Sequence, residues 1–259
     1  MSTFLFNEII FGPVKSRRLG VSLGINLLPT HRKLCSFDCI YCECGFNPDK
    51  TGPKAELPTR SQVKDALQKK LTQMEADQRL PDVITFAGNG EPTLHPEFAG
   101  IIDDTIELRN QLCPDARVAV LSNATRIGSQ TVFNALLKVD DNIQKLDSGI
   151  ASTIHLLDQP VGHFNLNKTV QQLKQFNGQV IIQTLFVKGS YKGQNIDNTQ
   201  PEELKAWLQL INEIAPREVM VYTIARDTPV DTLKKIPEEE LNIIADKIRE
   251  LGIAAQVSA

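Results

Sequence analysis

The sequence lacks the long apolar runs that would place it in a membrane. None of its apolar stretches approaches the roughly 18 residues that a membrane span needs. The opening segment has no basic residue ahead of its short apolar stretch, unlike a secretory signal. Low-complexity tracts, repeats and obvious linkers are absent as well. We therefore expect a cytoplasmic protein with no membrane partner and one domain over residues 1–259, including a short N-terminal extension over residues 1–20.

Cysteine is scarce and unevenly distributed. The chain contains five cysteines, an odd number, and four of them lie between positions 35 and 44. In the absence of a secretory signal, a disulfide framework explains this pattern poorly. Thiols grouped so closely indicate metal binding or redox chemistry instead.

The small net charge hides an asymmetry along the chain. The formal net charge is −3, yet the first 60 residues hold eight lysines and arginines against five aspartates and glutamates. The basic residues that surround the cysteines are Lys15, Arg17, Arg18, Arg32 and Lys33. They form either an ordinary solvated surface or a docking patch for an acidic electron donor or a phosphate. The sequence leaves both interpretations open.

Apolar, strand-like runs alternate with helical patterns along the chain. The runs are rich in Val, Ile, Leu and Phe and show little polar alternation, which is typical of parallel strands covered on both faces. The predicted strands are Val21–Leu28, Asp82–Ala87, Arg117–Ser122, Asn142–Leu146, Gln179–Val187 and Glu218–Ile224. Six strand–helix units joined by right-handed crossovers predict an α/β fold, a partial (βα)6 TIM-like barrel. Its site should lie at the carboxyl ends of the strands.

Two helix starts carry capping signals. Thr59 with Gln62 predicts a capping box, and Thr199 with Glu202 and Pro201 predicts the start of a second helix. Apolar residues at helical spacing follow each signal. We therefore expect a helix to begin at both places.

The cysteines after the first predicted strand are spaced for an iron–sulfur cluster. The segment reads Cys-Ser-Phe-Asp-Cys-Ile-Tyr-Cys, with thiols at Cys35, Cys39 and Cys42. Three soft thiolates suit a [4Fe–4S] cluster and leave one iron open to a cosubstrate. A four-thiolate zinc site would need Cys44, which does not match the usual pair of knuckles about 12–20 residues apart. Cys113 is predicted to be a buried apolar residue, whereas Cys44 is either structural or close to the substrate.

This segment resembles the signature of the radical S-adenosylmethionine (SAM) superfamily, Cys-x3-Cys-x2-Cys with an aromatic residue, here Tyr41, before the last cysteine. The resemblance extends along the whole chain, because similar later motifs follow the next strands in order. The run Gly-Asn-Gly-Glu at 88–91 is similar to the superfamily's Gly-Gly-Glu motif, whose glycines would let main-chain groups reach the methionine ammonium. Polar residues after the next two strands are similar to those that meet the carboxylate and ribose of SAM.

The resemblance implies a barrel of the radical SAM type that uses a [4Fe–4S] cluster and SAM as cofactors. The implied cluster ligands are Cys35, Cys39 and Cys42. The implied SAM-binding residues are Tyr41, Gly88, Asn89, Gly90, Glu91, Ser122, Asn123, Lys145, Asp147, Gln183 and Arg226. Gln183 either faces the lumen or pairs within the sheet. The implied activity is reductive cleavage of SAM to a 5′-deoxyadenosyl radical that abstracts hydrogen from a substrate, with flavodoxin or ferredoxin as electron donor.

Two further runs narrow the resemblance to enzymes of the wyosine type, which modify a guanine of tRNA. They are Phe-Gly-Pro-Val-Lys-Ser-Arg-Arg-Leu-Gly at 11–20 and Tyr-Thr-Ile-Ala-Arg at 222–226. Those enzymes carry further cysteines before the triplet, whereas none precedes Cys35 here. The resemblance implies a nucleobase or tRNA as substrate. The alternatives are radical modification or activation of a protein, a peptide or a small molecule, and a non-catalytic iron–sulfur binding module.

Overall fold

The computed structural model describes residues 4–48 and 56–259, so the first three residues of the predicted N-terminal extension lie outside it. Its strands are β1 (Ile10–Ser16), β2 (Gly20–Ile25), β3 (Val83–Phe86), β4 (Arg117–Ser122), β5 (Asp141–Lys145), β6 (Ile181–Tyr191), β7 (Gln194–Asp197), β8 (Glu218–Thr223), β9 (Lys234–Lys235) and β10 (Ala254–Ser258). A curled row of strands runs in the order β1-β2-β3-β4-β5-β6-β8-β10, while β7 and β9 pair with β6 beyond that row.

All six strands predicted from the sequence are present, and they run parallel to one another. The partial (βα)6 barrel is therefore confirmed. The sequence did not predict the two edges of the row, antiparallel β1 and parallel β10. β1 is mostly exposed and contains Gly12 and Pro13, and β10 is half-buried and contains the polar residues Gln256 and Ser258. Neither edge has the continuous apolar pattern of a buried strand.

Helices cover the outer face of the sheet. They are α1 (Arg60–Ala76), α2 (Phe98–Leu112), α3 (Gln130–Leu136), α4 (Ala151–Leu157), α5 (Leu166–Lys174), α6 (Pro201–Ile214) and α7 (Glu238–Glu250). The main core lies between these helices and the outward side chains of the strands. In α1 the buried stripe is Val63, Leu67, Leu71 and Met74, at the spacing of one helix face.

Both predicted helix starts are confirmed. The capping box of Thr59 and Gln62 is present at the start of α1. The helix α6 begins at Pro201 as predicted, but it has no side-chain cap, because the hydroxyl of Thr199 donates to Asp197 Oδ1 at 2.6 Å instead. A local alternative partner has replaced the helix cap.

The inner face of the sheet encloses a lumen with an apolar floor. The floor side chains lie near the amino-terminal ends of the strands and form a separate buried cluster: Leu19, Val83, Ala119, Ile143, Ile181 and Met220. Because strand residues alternate between faces, the inward residues two positions further along face the lumen above this floor. That second layer includes Gln183 and Tyr222, and the cysteine loop lies still further toward the carboxyl ends.

Hydrogen bonds join the two edges of the row at the turn between β1 and β2. Arg17 Nη1 donates to the carbonyl of Ala259 at 2.8 Å, and Gln256 Nε2 donates to the carbonyl of Arg18 at 3.1 Å. The turn is thus attached to β10. Within residues 4–48 and 56–259, no helix combines the length and apolar character needed to cross a membrane.

Candidate active site

The three predicted cluster cysteines lie in one loop beyond the carboxyl end of β2. Cys39 is buried, and Cys35 and Cys42 are half-buried. The N–H of Cys42 donates to the carbonyl of Cys39 at 3.1 Å, so these two residues share one turn. Among the described residues, no three His, Cys, Asp or Glu side chains are grouped as ligands of a single metal ion. A cubane binds each thiolate through a different iron, so its ligands need not converge on one point.

One side of the cysteine loop is hydrogen-bonded to the segment after α4. The N–H of Ile40 donates to the carbonyl of Leu157 at 2.9 Å, and the N–H of Asp38 donates to that of Asp158 at 2.8 Å. These backbone bonds lie on either side of Cys39 in the chain. They bring the Asp158 carboxyl group into contact with the Cys39 thiol.

A buried charged group, here named the lysine cluster (Tyr41, Lys145, Asp147 and Asp158), lies on the same side. Lys145 Nζ is 2.5 Å from Asp147 Oδ2 and 3.4 Å from Asp158 Oδ1. The Tyr41 hydroxyl contacts Lys145 and Asp147 and donates to Asp158 Oδ1 at 3.1 Å. Burial raises the pKa of Asp158 to about 7 against the opposing attraction of Lys145. The lysine cluster links the carboxyl end of β5 to Tyr41, the residue before Cys42.

The lysine cluster unites predicted and unpredicted residues. The sequence resemblance assigns Lys145 and Asp147 to SAM, and the structure brings both together with Tyr41 in one buried network. The sequence did not indicate Asp158, which follows α4 and belongs to no motif. Its position depends on the way residues 157–161 fold back against the cysteine loop, and no local sequence signal encodes that contact.

The opposite side of the cysteine loop contacts the Gly-Asn-Gly-Glu run after β3. The N–H of Leu34 donates to the carbonyl of Asn89 at 2.9 Å, and the N–H of Glu91 donates to that of Leu34 at 3.1 Å. Gly90 has a φ of +141°, and a Cβ there would overlap the carbonyl oxygen of Leu34. The sequence suggests that this glycine lets the main chain approach a ligand. In the structure the close approach is to the residue before Cys35.

Asn89 holds the N-terminal segment in place. Its Oδ1 accepts from the N–H of Phe6 at 2.8 Å, and its Nδ2 donates to the carbonyls of Phe6 and Pro29, each at 2.8 Å. The side chain is fully buried, and both amide hydrogens are used by the protein. The side chain of Asn89, predicted to bind SAM, thus connects the segment before β1 to the loop after β3 by hydrogen bonds within the protein.

Glu91 and Asn123 connect the ends of β3 and β4 to the first cysteine. Glu91 is 2% exposed, and its Oε2 accepts from the N–H of Asn123 at 2.6 Å. Asn123 Nδ2 lies 3.5 Å from Cys35 Sγ and donates to Ser36 Oγ at 2.9 Å. Burial raises the pKa of Glu91. Ser122, also predicted to bind SAM, is buried and accepts from the N–H two residues along, at Ala124, which is a turn contact.

Lys33 places a buried positive charge beside the thiols. It is 3% exposed, and its ammonium lies 2.9 Å from the carbonyl of Gly45 and 3.2 Å from Asp38 Oδ1. Burial disfavours the ammonium charge, but the three cysteines and Asp38 nevertheless raise the pKa of Lys33. The sequence placed Lys33 with Arg18 on a basic surface or docking patch. The solvated-surface interpretation is wrong for both, because Lys33 is buried and Arg18 points into the lumen; the phosphate-binding alternative remains a prediction for Arg18.

The two remaining cysteines have different surroundings. A hydrogen bond with Cys44 lowers the pKa of Cys42 to about 6, and the Cys44 thiol lies 3.5 Å from the carbonyl of Gly88. Cys44 is thus a close neighbour of the third predicted ligand. Cys113 is 1% exposed in the main core, so the prediction of a buried apolar residue is confirmed.

A cavity of about 340 Å³ opens from the cysteine loop into the lumen. The predicted SAM-binding residues that line it are Tyr41, Gly88, Gln183 and Arg226. Gln183 therefore faces the lumen, which resolves its two predicted orientations. Arg226 lies at the rim, 65% exposed, with Nη1 2.7 Å from Glu43 Oε2. The remaining predicted residues lie behind this lining, where they hold the loops that form it.

Sequence comparison gives relatives that carry two different names. No family model matches the chain. A protein named "GTPase Obg" from Brachyspira hyodysenteriae is 31% identical over 236 residues, 90% of this chain and 32% of that protein. A "UPF0026 protein" from Helicobacter pylori is 29% identical over 240 residues, covering 90% of this chain and 71% of the relative. This chain spans about a third of the Brachyspira protein and has no Gly-x4-Gly-Lys-Ser/Thr run.

Solved structures similar to this one belong to radical SAM enzymes. A radical SAM methyltransferase from Sphaerobacter thermophilus has a TM-score of 0.66 at 12% identity, covering 92% of this chain and 65% of that one. SuiB from Streptococcus suis, bound to the precursor peptide SuiA, has a TM-score of 0.62 at 16% identity, covering 91% and 48%. TYW1 with a lysine-pyruvate adduct has a TM-score of 0.57 at 13% identity, covering 88% and 73%. The chain has the partial-barrel fold of radical SAM enzymes.

Proposed function

We propose that this protein is a radical SAM enzyme, which holds a [4Fe–4S] cluster on Cys35, Cys39 and Cys42 and binds SAM beside it. The observation that carries the proposal is the position of the three thiols. They share one loop at the carboxyl end of β2, in a sheet with the fold of radical SAM enzymes. The carboxyl ends of parallel barrel strands are where enzymes of this architecture keep their active sites.

The surroundings of the thiols fit an anionic iron–sulfur cluster. Cys35 Sγ faces two donors, the N–H of Phe37 at 3.4 Å and Asn123 Nδ2 at 3.5 Å. The buried ammonium of Lys33 adds positive charge beside all three thiols. Hydrogen bonds and charges of this kind tune a cluster's reduction potential. When bound, the cluster supplies the electron that cleaves SAM to a 5′-deoxyadenosyl radical.

The lining of the cavity supports binding of SAM next to Cys42. Gly88 has a φ of +130° and presents main-chain groups to the cavity without a side chain. Gln183 offers an amide from the lumen wall, and Arg226 offers a guanidinium at the rim. We assign the lysine cluster and the pair Glu91–Asn123 to holding the cysteine loop in the geometry that these contacts require.

The shape of the lumen supports chemistry that must be protected from water. Its floor consists of six buried apolar side chains, of which Leu19 and Met220 are examples, and Leu121 packs against them. An apolar floor of this kind keeps water away from the inner end of the lumen. The chain thus provides a water-poor floor as well as residues for binding.

The substrate of this proposed chemistry is a separate question. Sequence likeness to the wyosine-type enzymes supports a nucleobase or tRNA, and a protein, a peptide or a small molecule is the alternative. The structural relatives include a methyltransferase and a peptide-bound enzyme, so they do not favour one class. For the electron donor we propose a flavodoxin or ferredoxin. Lys15 and Arg17 remain exposed near the β1–β2 turn and could contact an acidic surface.

Anaerobic reconstitution tests the proposed function directly. We expect about four irons per chain, because three thiolates and sulfide complete a cubane. Cys35→Ala, Cys39→Ala and Cys42→Ala should each lose the iron and the release of 5′-deoxyadenosine with dithionite as reductant. Cys113→Ala is the matched control, since that thiol lies in the main core, and it should retain both. Retention of a full cluster by two of the three loop variants would exclude the proposed ligands.

A further inference from the structure

The side chain of Arg18 enters the lumen from the turn between β1 and β2. Its Nη1 donates to Gln183 Oε1 at 3.0 Å, and its guanidinium carbon lies 4.5 Å from the centre of the Tyr222 ring. The two contacts fix the guanidinium against the neighbouring strands β6 and β8. Arg18 is half-buried as a residue, and burial is the main cause that lowers the pKa of its guanidinium. The charged end is therefore the buried part.

This buried cation has no carboxylate partner within the described part of the chain. No Asp or Glu oxygen there lies within ion-pair distance of Arg18; the Glu43 carboxylate lines the same cavity and attracts Arg18 only at longer range, and it is itself paired with Arg226 at 2.7 Å. One amide oxygen and one aromatic face use only part of a guanidinium with five N–H donors. Burying an unpaired charge is unfavourable, so a position of this kind indicates an anion that binds there.

The space in front of Arg18 is large enough for such an anion. Arg18 lines the cavity of about 340 Å³ and also an adjoining one of about 260 Å³. The adjoining walls include Leu121 and the hydroxyls of Ser22 and Thr85, which are bonded to each other at 2.8 Å. The guanidinium is thus the buried charge presented to that space, and its planar fork suits a carboxylate or phosphate.

The anion position and the proposed SAM position adjoin each other in one cavity, which Arg18, Gln183 and Cys42 all line. Gln183, the partner of Arg18, precedes Leu185 by two residues on β6, which places it about 7 Å nearer the amino-terminal end. Leu185 is at the level where its N–H donates to Asp147 of the lysine cluster. The cysteine loop lies at the carboxyl end of the lumen. An anion on the Gln183 side of Arg18 would therefore lie deeper than a cosubstrate next to Cys42, whereas Tyr222, the other partner of Arg18, is level with Leu185.

We infer that Arg18 binds the carboxylate or phosphate of the substrate, so that the substrate is an anionic small molecule or carries an anionic group that reaches into the lumen. The inference rests on the proposed function for the identity of the reaction, but the anion site itself does not depend on it. It also removes Arg18 from any surface contact with an electron donor, because the guanidinium faces inward.

Binding of simple anions by the full-length chain tests the inference. The probes are inorganic phosphate and acetate, titrated calorimetrically at constant ionic strength into the protein as purified and after reconstitution. We expect one of them to bind, and Arg18→Gln to weaken that binding at least tenfold. Arg17→Gln removes the same charge from the same turn, but its guanidinium contacts the Ala259 carbonyl, so the loss should stay below about threefold. Equal losses in the two variants would overturn the inference.

A second variant keeps the test informative if Arg18→Gln does not fold. Gln183→Glu places a carboxylate at the atom that now lies 3.0 Å from the Arg18 guanidinium. The built-in anion should compete with phosphate or acetate and weaken binding at least tenfold, with cooperative unfolding retained. Undiminished binding by a folded Gln183→Glu protein would place the anion elsewhere.

Further titrations distinguish the sources of the anion. Tighter binding of phosphate indicates a phosphate ester such as a nucleotide, and tighter binding of acetate indicates a carboxylic acid. SAM also carries a carboxylate, so each titration is repeated with SAM bound. Unchanged affinity assigns the site to the substrate, whereas competition would assign it to the cosubstrate and overturn the inference. If the parent protein holds no cluster or releases no 5′-deoxyadenosine, the proposed function is refuted and the anion site is unaffected. If neither anion binds, the inference is refuted and the proposed function is unaffected.

Discussion

The two sides of the cysteine loop are held by different kinds of contact. On the side of β3 and β4 the contacts are backbone hydrogen bonds between Leu34 and the Gly-Asn-Gly-Glu run, with Glu91 as the one buried carboxylate. On the side of β5 and α4 they include a buried ammonium between two carboxylates. Both sides reach a cysteine, through Asn123 to Cys35 and through Asp158 to Cys39.

These contacts indicate that the side at β3 and β4 depends on shape, whereas the side at β5 and α4 depends on charge balance. Backbone packed against backbone cannot adjust to an added carbon, so the first side should be sensitive to size and insensitive to charge. A buried ion cluster keeps its stability only while its charges compensate one another, so the second side should respond to which partner is removed. Three sets of substitutions test this contrast.

The largest effect is expected on the backbone side, for Gly90→Val. The new side chain would overlap the Leu34 carbonyl at a φ of +141°, so we expect a loss of about 4–5 kcal/mol in the free energy of unfolding. Iron content after reconstitution should fall with it, because Leu34 precedes a proposed ligand. Urea unfolding and iron analysis measure both.

Gly193→Val is the matched control for Gly90→Val. Gly193 also has a positive φ, +76°, but an added Cβ there meets nothing within 4 Å. The change should cost about 1–2 kcal/mol from backbone strain and leave the iron content unchanged. A Gly90 variant no worse than this control would show that the Leu34 contact is adaptable.

The charged side should distinguish between its members. Lys145→Met leaves two buried carboxylates without their cation, and we expect it to lower the free energy of unfolding by about 3–4 kcal/mol. Asp158→Asn leaves Lys145 paired with Asp147 at 2.5 Å and should cost about 1–2 kcal/mol from weakened hydrogen bonds. Equal losses in urea unfolding would mean that hydrogen bonding, and not charge compensation, stabilises the lysine cluster.

The smallest effect is expected at the rim of the cavity. Arg226 and Glu43 form an ion pair of 2.7 Å with side chains that are 65% and 39% exposed. Because water already solvates both groups, Arg226→Ala should change the free energy of unfolding by less than about 1 kcal/mol. A loss comparable to that of Lys145→Met would show that exposure is a poor guide to the strength of these charge pairs.

The sequence predicts the centre of the fold better than its edges. Buried parallel strands have continuous apolar runs, and all six were identified. β1 and β10 are edge strands with polar or small residues, so their positions follow from pairing with distant strands. The start of α6 shows a local limit: Thr199 does not cap the helix, because the nearby Asp197 binds the same hydroxyl.

The sequence also predicts the residues of the site better than their contacts. The family resemblance identifies Gly90 and Lys145, but the partners that give them their environment, Leu34 and Asp158, belong to no motif. Arg18 is a further example, because the sequence alone does not distinguish it from the exposed Arg17 next to it. Only the direction in which the turn presents each side chain separates the two.

The bond between Gln256 and Arg18 has a consequence for the order in which the molecule folds. It joins residues 238 positions apart in the chain. Contacts of such separation require the largest loop closure and are slow to form. Synthesis also reaches β10 after the other strands of the sheet. We therefore expect the turn that carries Arg18 to be fixed in place late in folding, and the wall of the lumen to be complete only then.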